Sequence, residues 1–245
     1  MDLSAIKQHI VSRIRQTPVV TEPYPYVYIE EFFPVSYYQQ ILNQLPDKSA
    51  FTKLAPGYEK RLLISFHNTA EIEQLPADIQ SFWKDFAQVV LSDELRNAFL
   101  DKFSSYVQTR FKGAKPNFYS SSDLLLDQQN YALGPHTDHP DKVISILFYL
   151  PKDASLSHLG TKIYEHEDPN FKDVAGDHHK FDGFRKVQAI EYKPNTSFAF
   201  FKTDNSFHGV EPVTEVAQRQ LVLYNIRIPK EDVPASERKF VHGAL

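Results

Sequence analysis

The sequence predicts an α+β, mainly β fold, in which a double-stranded β-helix (jelly roll) core carries N-terminal helices on one sheet. Helical periodicity dominates the first 115 residues, and short strand-like segments separated by turns follow from residue 117. Helices followed by a run of strands are typical of α+β domains, and a jelly roll closes such strands. The length of 245 residues suits one strand-rich domain. We therefore expect a single domain over 1–245, with a mostly helical support region at 1–115 and the β-helix core at 116–230.

The N-terminal half alternates helix and strand signals. Leu3, Ile6, Ile10 and Ile14 form one helical stripe, and Pro18 ends that helix. Aromatic and β-branched residues at 26–33 favour a strand. In order, we predict a helix over 3–16, a strand over 26–33, a helix between Pro34 and Pro46, a strand over 61–66, and two helices within 77–109. The wide apolar faces of the last two predict packing on the outside of the sheet.

The C-terminal half is rich in strand signals. Turn residues at Gly134-Pro135, Pro194-Asn195 and Asp204-Asn205-Ser206 separate the apolar segments. The predicted strands cover 122–131, 143–150, 161–165, 187–192, 197–201, 207–210 and 218–228. The polar stretch 151–185 has little pattern around its one short strand, and loops of that length are usually lids or binding loops.

Composition excludes several classes of function. A net charge of −4 gives no reason to expect nucleic acid or an anionic membrane as partner. The absence of cysteine excludes disulfides, thiolate catalysis and iron–sulfur clusters. No apolar run approaches the ~20 residues of a membrane helix, and the N-terminus lacks the apolar region of a secretory signal. We expect a cytoplasmic protein, in an oligomeric state that the sequence does not indicate.

Three side chains form a candidate metal site. His136 and Asp138 are two residues apart, so on a strand both leave the same face, and His208 follows seventy residues later. Two imidazoles and one carboxylate make a facial triad that suits iron(II) and leaves open positions. His139 would leave the opposite face from Asp138 if the strand continues. The plainer alternatives are a surface turn around His136 and Asp138, and a histidine that caps a hairpin at His208.

Arg219 is a candidate anion ligand. It shares one strand face with Leu221 and Leu223, and apolar residues also occupy the other face, so the strand should be covered on both sides. A buried arginine needs an anionic partner, and the neighbouring predicted strands supply no obvious acidic residue. The residues alone equally allow Arg219 at an exposed strand end, paired with Glu215 or solvent.

These motifs resemble those of the 2-oxoglutarate/Fe(II)-dependent oxygenase superfamily, in its prolyl-4-hydroxylase-like branch. The resemblance rests on the order His-x-Asp, a long gap, His, and an arginine about ten residues later. Tyr131-Ala132-Leu133-Gly134, the apolar strand at 146–150 and Phe207-His208-Gly209-Val210-Glu211-Pro212-Val213 are similar to the branch's flanking motifs. The resemblance covers about residues 120–228.

The resemblance implies a dioxygenase with Fe(2+), 2-oxoglutarate and O2, and with ascorbate as an optional addition. His136, Asp138 and His208 would be the metal ligands and catalytic residues, and Arg219 would hold the distal carboxylate of 2-oxoglutarate bidentately. Tyr131 and Tyr149 would donate hydroxyl groups to the cosubstrate, or alternatively belong to the aromatic core. The resemblance implies hydroxylation or desaturation of a small-molecule or peptidyl substrate, with release of succinate and CO2.

Weaker candidates and other functions stay open. A cupin-type metal enzyme that uses no 2-oxoglutarate would require more histidine ligands and would leave Arg219 unexplained. A non-catalytic binding module on the same barrel is disfavoured by the complete triad. The remaining polar candidates near the pocket are Asn205, Asn225 and Arg227, and the histidines expected to be solvated or substrate-facing are His158, His166, His178 and His179.

Overall fold

The computed structural model describes residues 2–53, 59–214 and 218–240, and it confirms the predicted fold class. Two antiparallel sheets face each other in a double-stranded β-helix. The larger sheet has seven strands and the smaller has four. In chain order the described strands are β1 Tyr26–Ile29, β2 Thr52–Lys53, β3 Arg61–Ser65, β4 Tyr119–Asp127, β5 Leu133–His136, β6 Lys142–Tyr149, β7 Lys162–His166, β8 Phe184–Ala189, β9 Thr196–Phe201, β10 His208–Val210 and β11 Arg219–Arg227.

The order of strands brings distant parts of the chain together. The large sheet runs β1-β9-β6-β11-β4-β3-β2, and the small sheet runs β5-β10-β7-β8. Two registers matter for the site. His208 on β10 lies opposite His136 on β5, and Arg219 on β11 lies opposite Asp127 on β4. The strand pairing therefore aligns the candidate residues across strands that are far apart in sequence.

Helices cover the outer face of the large sheet, as their apolar stripes predict. The α-helices of the described residues are α1 Leu3–Gln16, α2 Val35–Asn43, α3 Thr69–Glu73, α4 Ala77–Val90, α5 Asp93–Lys102 and α6 Ser104–Phe111. Trp83 and Phe86 of α4 belong to one buried cluster with Phe148 and Tyr224 of the sheet. None of the helices in the described ranges has both the length and the apolar character required to cross a membrane.

A second buried cluster fills the space between the two sheets. Tyr149, Tyr192, Phe200 and Leu221 belong to it and are almost completely buried. On β11, Leu221 contributes to this interior, whereas its neighbour Val222 contributes to the helix side. The strand that carries Arg219 is therefore central and covered on both faces, as predicted.

Several element predictions were wrong in detail. The segment 77–109 holds three helices rather than two, because the second predicted helix is divided at Phe103 into α5 and α6. The predicted boundary between the first two is confirmed at Ser92, whose hydroxyl accepts a hydrogen bond from the Leu95 amide. The Gly134-Pro135 pair was interpreted as a turn but lies in β5. This strand forms an edge of the small sheet, where a proline without an N–H is tolerated. The short α3 and β2 were not predicted, and β4 and β8 begin three residues before their predicted starts.

The stretch 151–185 is more ordered than its composition indicates. Beyond β7 it folds back and packs aromatic rings against Phe207, which lies next to the candidate ligand His208. Phe171 and Phe184 approach the Phe207 ring with centroids 5.7 Å and 5.0 Å away. His179 packs on Phe184 in the same cluster. This stretch therefore has its own small core beside the site.

Candidate metal centre and adjoining anion pocket

The structure brings the three predicted metal ligands together. One ligand atom from each of His136, Asp138 and His208 lies within 4.8 Å of the other two, and all three residues are buried. The two imidazole rings lie on adjacent strands with centroids 4.3 Å apart. The surface-turn and hairpin-cap alternatives do not describe these positions, because the three polar side chains converge in the interior.

Hydrogen bonds orient both imidazoles for metal binding. His136 Nδ1 lies 2.9 Å from the Gly134 carbonyl, and His208 Nδ1 lies 3.0 Å from the Ser206 carbonyl. Because a carbonyl only accepts, each Nδ1 carries the proton and each Nε2 keeps its lone pair. Burial lowers the pKa of both imidazoles, so they remain in the neutral form that a metal requires.

Asp138 is held at both carboxylate oxygens. Lys142 Nζ donates to Oδ1 at 2.6 Å, and Ser145 Oγ donates to Oδ2 at 2.5 Å. Burial alone would raise the pKa of Asp138, but the Lys142 ammonium beside it outweighs burial and lowers that pKa far below its usual range. Asp138 is therefore ionised and fixed before any metal binds.

The residue between the ligands anchors the 151–185 stretch. Thr137 is fully buried, and its hydroxyl donates to the Asp173 carbonyl at 2.8 Å. The Asp173 carboxylate lies 2.9 Å from His179 Nε2. The ring of His178, the residue before His179, lies against the His136 ring with centroids 4.6 Å apart. Of the histidines in this stretch, His178 is thus the one placed at the metal site.

The other polar candidates lie outside the triad. His139 contacts Asp141 at 2.7 Å and is not among the converging ligand atoms. β5 ends at His136, so the strand alternation expected to separate His139 from Asp138 does not extend to these residues. Arg227 binds the same Asp141 carboxylate. Asn225 lies behind the triad, with its amide oxygen 3.1 Å from Ser145 Oγ. Asn205 accepts a hydrogen bond from Thr203 within its own turn.

Arg219 is completely buried and already has an acidic partner. Its Nη1 donates to Asp127 Oδ2 at 2.6 Å, and its Nε donates to the Leu159 carbonyl at 2.7 Å. The expectation that no neighbouring strand supplies a carboxylate was therefore wrong, because Asp127 lies directly opposite on β4. The exposed-end alternative is also wrong, and its proposed partner Glu215 lies outside the described residues.

One carboxylate serves two guanidinium groups. Arg61 also binds Asp127, through Nε at 2.6 Å and Nη2 at 2.9 Å. Among the described residues, Arg219 Nη2 has no hydrogen-bond partner, although it is buried. A buried donor without a partner costs about 1–3 kcal/mol, and more when it is charged. An anionic ligand that reaches this nitrogen would remove that cost, so the pocket fits a carboxylate.

The two predicted tyrosines have different surroundings. Tyr149 is buried between the sheets, and its ring centroid lies 5.6 Å from the Arg219 guanidinium carbon. Its hydroxyl donates to Thr161 Oγ1 at 2.8 Å. Tyr131 instead lies under Arg61, whose guanidinium carbon is 4.3 Å from the ring centroid. Tyr149 therefore lines the pocket of Arg219, whereas Tyr131 contacts the second arginine.

Sequence reasoning missed Asp127, Arg61, Lys142 and Ser145. Two of them break apolar runs that are otherwise continuous. Asp127 follows Leu124-Leu125-Leu126, and Ser145 interrupts the strand from Val143 to Leu150. A polar residue inside a fully covered strand needs a partner, and that rule could have marked both positions. Lys142 and Arg61 carry no comparable signal.

Asp127→Ala should destabilise the fold. The substitution leaves the Arg219 guanidinium buried without its anion, and removing one partner of a buried ion pair costs about 3–5 kcal/mol. Urea unfolding should show this loss in free energy. As a control, Glu73→Ala removes a carboxylate that is mostly exposed and 3.7 Å from Lys84, and should cost less than about 1 kcal/mol. Equal effects of the two substitutions would contradict a structural role for the buried carboxylate.

A cleft of about 370 Å³ opens beside the metal site. Lys60, Asn130, Gly134 and His178 contribute to its lining. His178 connects it to the triad through its contact with His136, and Gly134 supplies the carbonyl that orients that ligand. The cleft is lined by both polar and apolar groups and is large enough for an amino acid, a short peptide segment or a metabolite of similar size.

Comparisons with known proteins identify the fold. No protein-family model matches the sequence, and no curated protein matches it either. Among solved structures, a prolyl 4-hydroxylase from Phytophthora capsici aligns with TM-score 0.55 and 16% identity, over 95% of this chain and 68% of that one. HygX from Streptomyces hygroscopicus was crystallised with nickel, 2-oxoglutarate and hygromycin B. It aligns with TM-score 0.52 and 11% identity, over 83% of this chain and 82% of that one. A prolyl-4-hydroxylase from Pseudomonas putida aligns with TM-score 0.52 and 12% identity, over 93% of this chain and 99% of that one.

At these identities the similarity establishes the fold. The predicted resemblance to the prolyl-4-hydroxylase-like branch is confirmed at that level, over nearly the whole chain rather than its C-terminal half alone. The chain has the double-stranded β-helix fold of prolyl 4-hydroxylases and of the 2-oxoglutarate-bound protein HygX.

Proposed function

We propose that this protein is an Fe(II)- and 2-oxoglutarate-dependent dioxygenase that hydroxylates an amino acid, a peptidyl residue or a small metabolite. The observation that carries the proposal is the convergence of His136, Asp138 and His208 in the same barrel interior as the unpaired Arg219 Nη2. The first group fits a divalent metal and the second fits a carboxylate. The shared fold with enzymes of this chemistry supports the combination.

The donor set suits iron(II). Two neutral imidazole nitrogens and one carboxylate oxygen form a facial triad, which leaves room for further ligands. His136, Asp138 and His208 would hold the ion. When bound, the ion and 2-oxoglutarate supply the oxidising chemistry, in which O2 converts the keto acid to succinate and CO2 and oxygen enters a substrate C–H bond.

The chain's own residues bind and orient the cosubstrate. Arg219 Nη2 would donate to its distal carboxylate, and the nearby Tyr149 hydroxyl could turn from Thr161 to do the same. The rings of Tyr149 and Tyr192 each lie 5.6 Å from the guanidinium carbon. Because these rings exclude water, the contact between Arg219 and an anion is strengthened. The role of Tyr131 as a second hydroxyl donor stays a prediction.

The cleft beside His136 would admit the substrate. Its lining combines polar residues, among them Lys60 and Asn130, with apolar ones such as Leu133, so it can contact both polar and apolar parts of a substrate. The fold is shared with prolyl 4-hydroxylases and with HygX, which was crystallised with the small molecule hygromycin B, and we propose both peptidyl and small-molecule substrates as candidates. Both classes therefore belong in a screen.

Two alternatives are weaker. A metal enzyme of the cupin type that uses no 2-oxoglutarate gives no role to the buried Nη2 of Arg219. A non-catalytic binding module gives no reason for an intact, oriented triad with an ionised carboxylate. Neither alternative accounts for both features.

Succinate formation tests the proposed function. Purified protein with Fe(II), 2-oxoglutarate and air should release succinate, and the correct substrate class should accelerate the release well above the uncoupled background. The screen should include free amino acids, proline-containing peptides and aminoglycosides, with product mass measured for each. Asp138→Ala protein serves as the blank. Succinate release no greater than this blank under all conditions would contradict the proposal.

A further inference from the structure

Lys142 is an unusual neighbour for a metal-binding carboxylate. Its ammonium lies 2.6 Å from Asp138 Oδ1, and its side chain is only 17% exposed. Its backbone is fixed as well, since its N–H donates to the His139 carbonyl and its carbonyl accepts from Arg110 Nη1. The ammonium is therefore held close to the position of the metal by the same turn that carries Asp138.

This lysine changes the charge of the site at each stage of loading. With neutral His136 and His208, the charges of Asp138 and Lys142 sum to zero in the empty site. A divalent metal makes the site dicationic, and the dianion 2-oxoglutarate restores neutrality. Without the ammonium the same stages carry −1, +1 and −1. In a buried site these differences are large, because charges interact more strongly than in water.

The surrounding ions do not cancel this effect. Asp141 is paired with Arg227, and Glu237 is paired with Arg110. Ser145 already fixes the second oxygen of Asp138. A merely structural role for Lys142, as a hydrogen-bond donor that positions the carboxylate, would therefore duplicate part of what Ser145 provides.

We propose that Lys142 tunes the site electrostatically, weakening the binding of the divalent metal and strengthening the subsequent binding of the anionic cosubstrate. This inference rests on the proposed function, since it assumes that a metal and a dianion bind in sequence. Lys142 is a positioning and charge-setting residue that acts through Asp138. It makes the metal-loaded enzyme a better receptor for 2-oxoglutarate than the triad alone would be.

Calorimetric titration under anaerobic conditions tests this role with two probes. Mn(II) is first titrated into the protein alone, and 2-oxoglutarate is then titrated into Mn(II)-loaded protein. Lys142→Met should bind Mn(II) about tenfold more tightly and 2-oxoglutarate about tenfold more weakly than the wild type, a change of about 1.4 kcal/mol each. Lys142→Arg keeps the charge and should remain close to the wild type in both titrations.

Lys7→Met is the matched control. Lys7 pairs with Glu94 on the helical layer, so its removal changes the net charge equally but away from the site. Mn(II) binding that is unchanged or weaker in Lys142→Met would overturn the inference. The inference would also be overturned if Lys142→Arg changed the two affinities as much as Lys142→Met does. Wild-type protein that binds no Mn(II) would instead contradict the proposed function, so the two failures are distinguishable. Thermal unfolding of each variant verifies that it is folded.

Discussion

Replacing Asp138 by alanine should abolish specific metal binding. The two imidazoles alone provide neither the third ligand nor the negative charge, and the Lys142 ammonium would then face the metal without its counterion. Asp138 supplies one of the three protein ligands and the negative charge of the donor set, so its loss should weaken metal binding at least about 100-fold. Calorimetric titration of Mn(II) into the protein measures this loss of affinity directly.

His139→Ala is the control for this experiment. His139 lies in the same turn and is a histidine, but its ring contacts Asp141 and does not join the triad. Its substitution should leave the metal affinity within about threefold of the wild type, because a residue that does not contact the metal has only a small effect on its binding. Metal binding that survives Asp138→Ala, or that is lost in His139→Ala, would place the ion elsewhere.

Arg219→Met should selectively weaken 2-oxoglutarate binding. Truncating one partner of a buried hydrogen-bonded charge pair costs about 2–5 kcal/mol, so the dissociation constant should rise about 30-fold or more. The protein should remain folded, because Asp127 keeps its bidentate contact with Arg61. Titration of 2-oxoglutarate into Mn(II)-loaded protein measures the change, and Mn(II) affinity should stay near that of the wild type.

Arg96→Met controls for the loss of an arginine. Arg96 forms an i,i+3 pair with Asp93 on the helical layer, away from the barrel interior. It should bind 2-oxoglutarate as the wild type does. If Arg219→Met also binds normally, the buried guanidinium has a structural role only and the anion pocket lies elsewhere.

The triad was predictable because its geometry is local in part. β5 ends at His136, so Asp138 lies just beyond the strand, and the two-residue spacing keeps the two ligands together there. Arg219 shares a face with Leu221 by strand alternation. The buried faces of the helices followed from apolar spacing. Such features depend on periodicity within one segment, which the sequence shows directly.

The partners of these residues depend on register and were not predictable. Asp127 meets Arg219 only because β4 and β11 pair at that position, after a separation of 92 residues. Arg61 reaches the same carboxylate from a third strand. β5 was missed because Gly134-Pro135 is typical of turns, and only its place at a sheet edge allows it to pair. Lys142 folds back on Asp138 through a turn whose geometry no local pattern indicates.

The central claim is that one ferrous ion and one molecule of 2-oxoglutarate bind together inside the barrel. The most direct measurement is the absorption spectrum of the wild-type protein under anaerobic conditions, as Fe(II) and then 2-oxoglutarate are added. A visible charge-transfer band that requires both additions and saturates at one equivalent of each is the expected result. A spectrum without that band, from folded protein at saturating concentrations, would contradict the account.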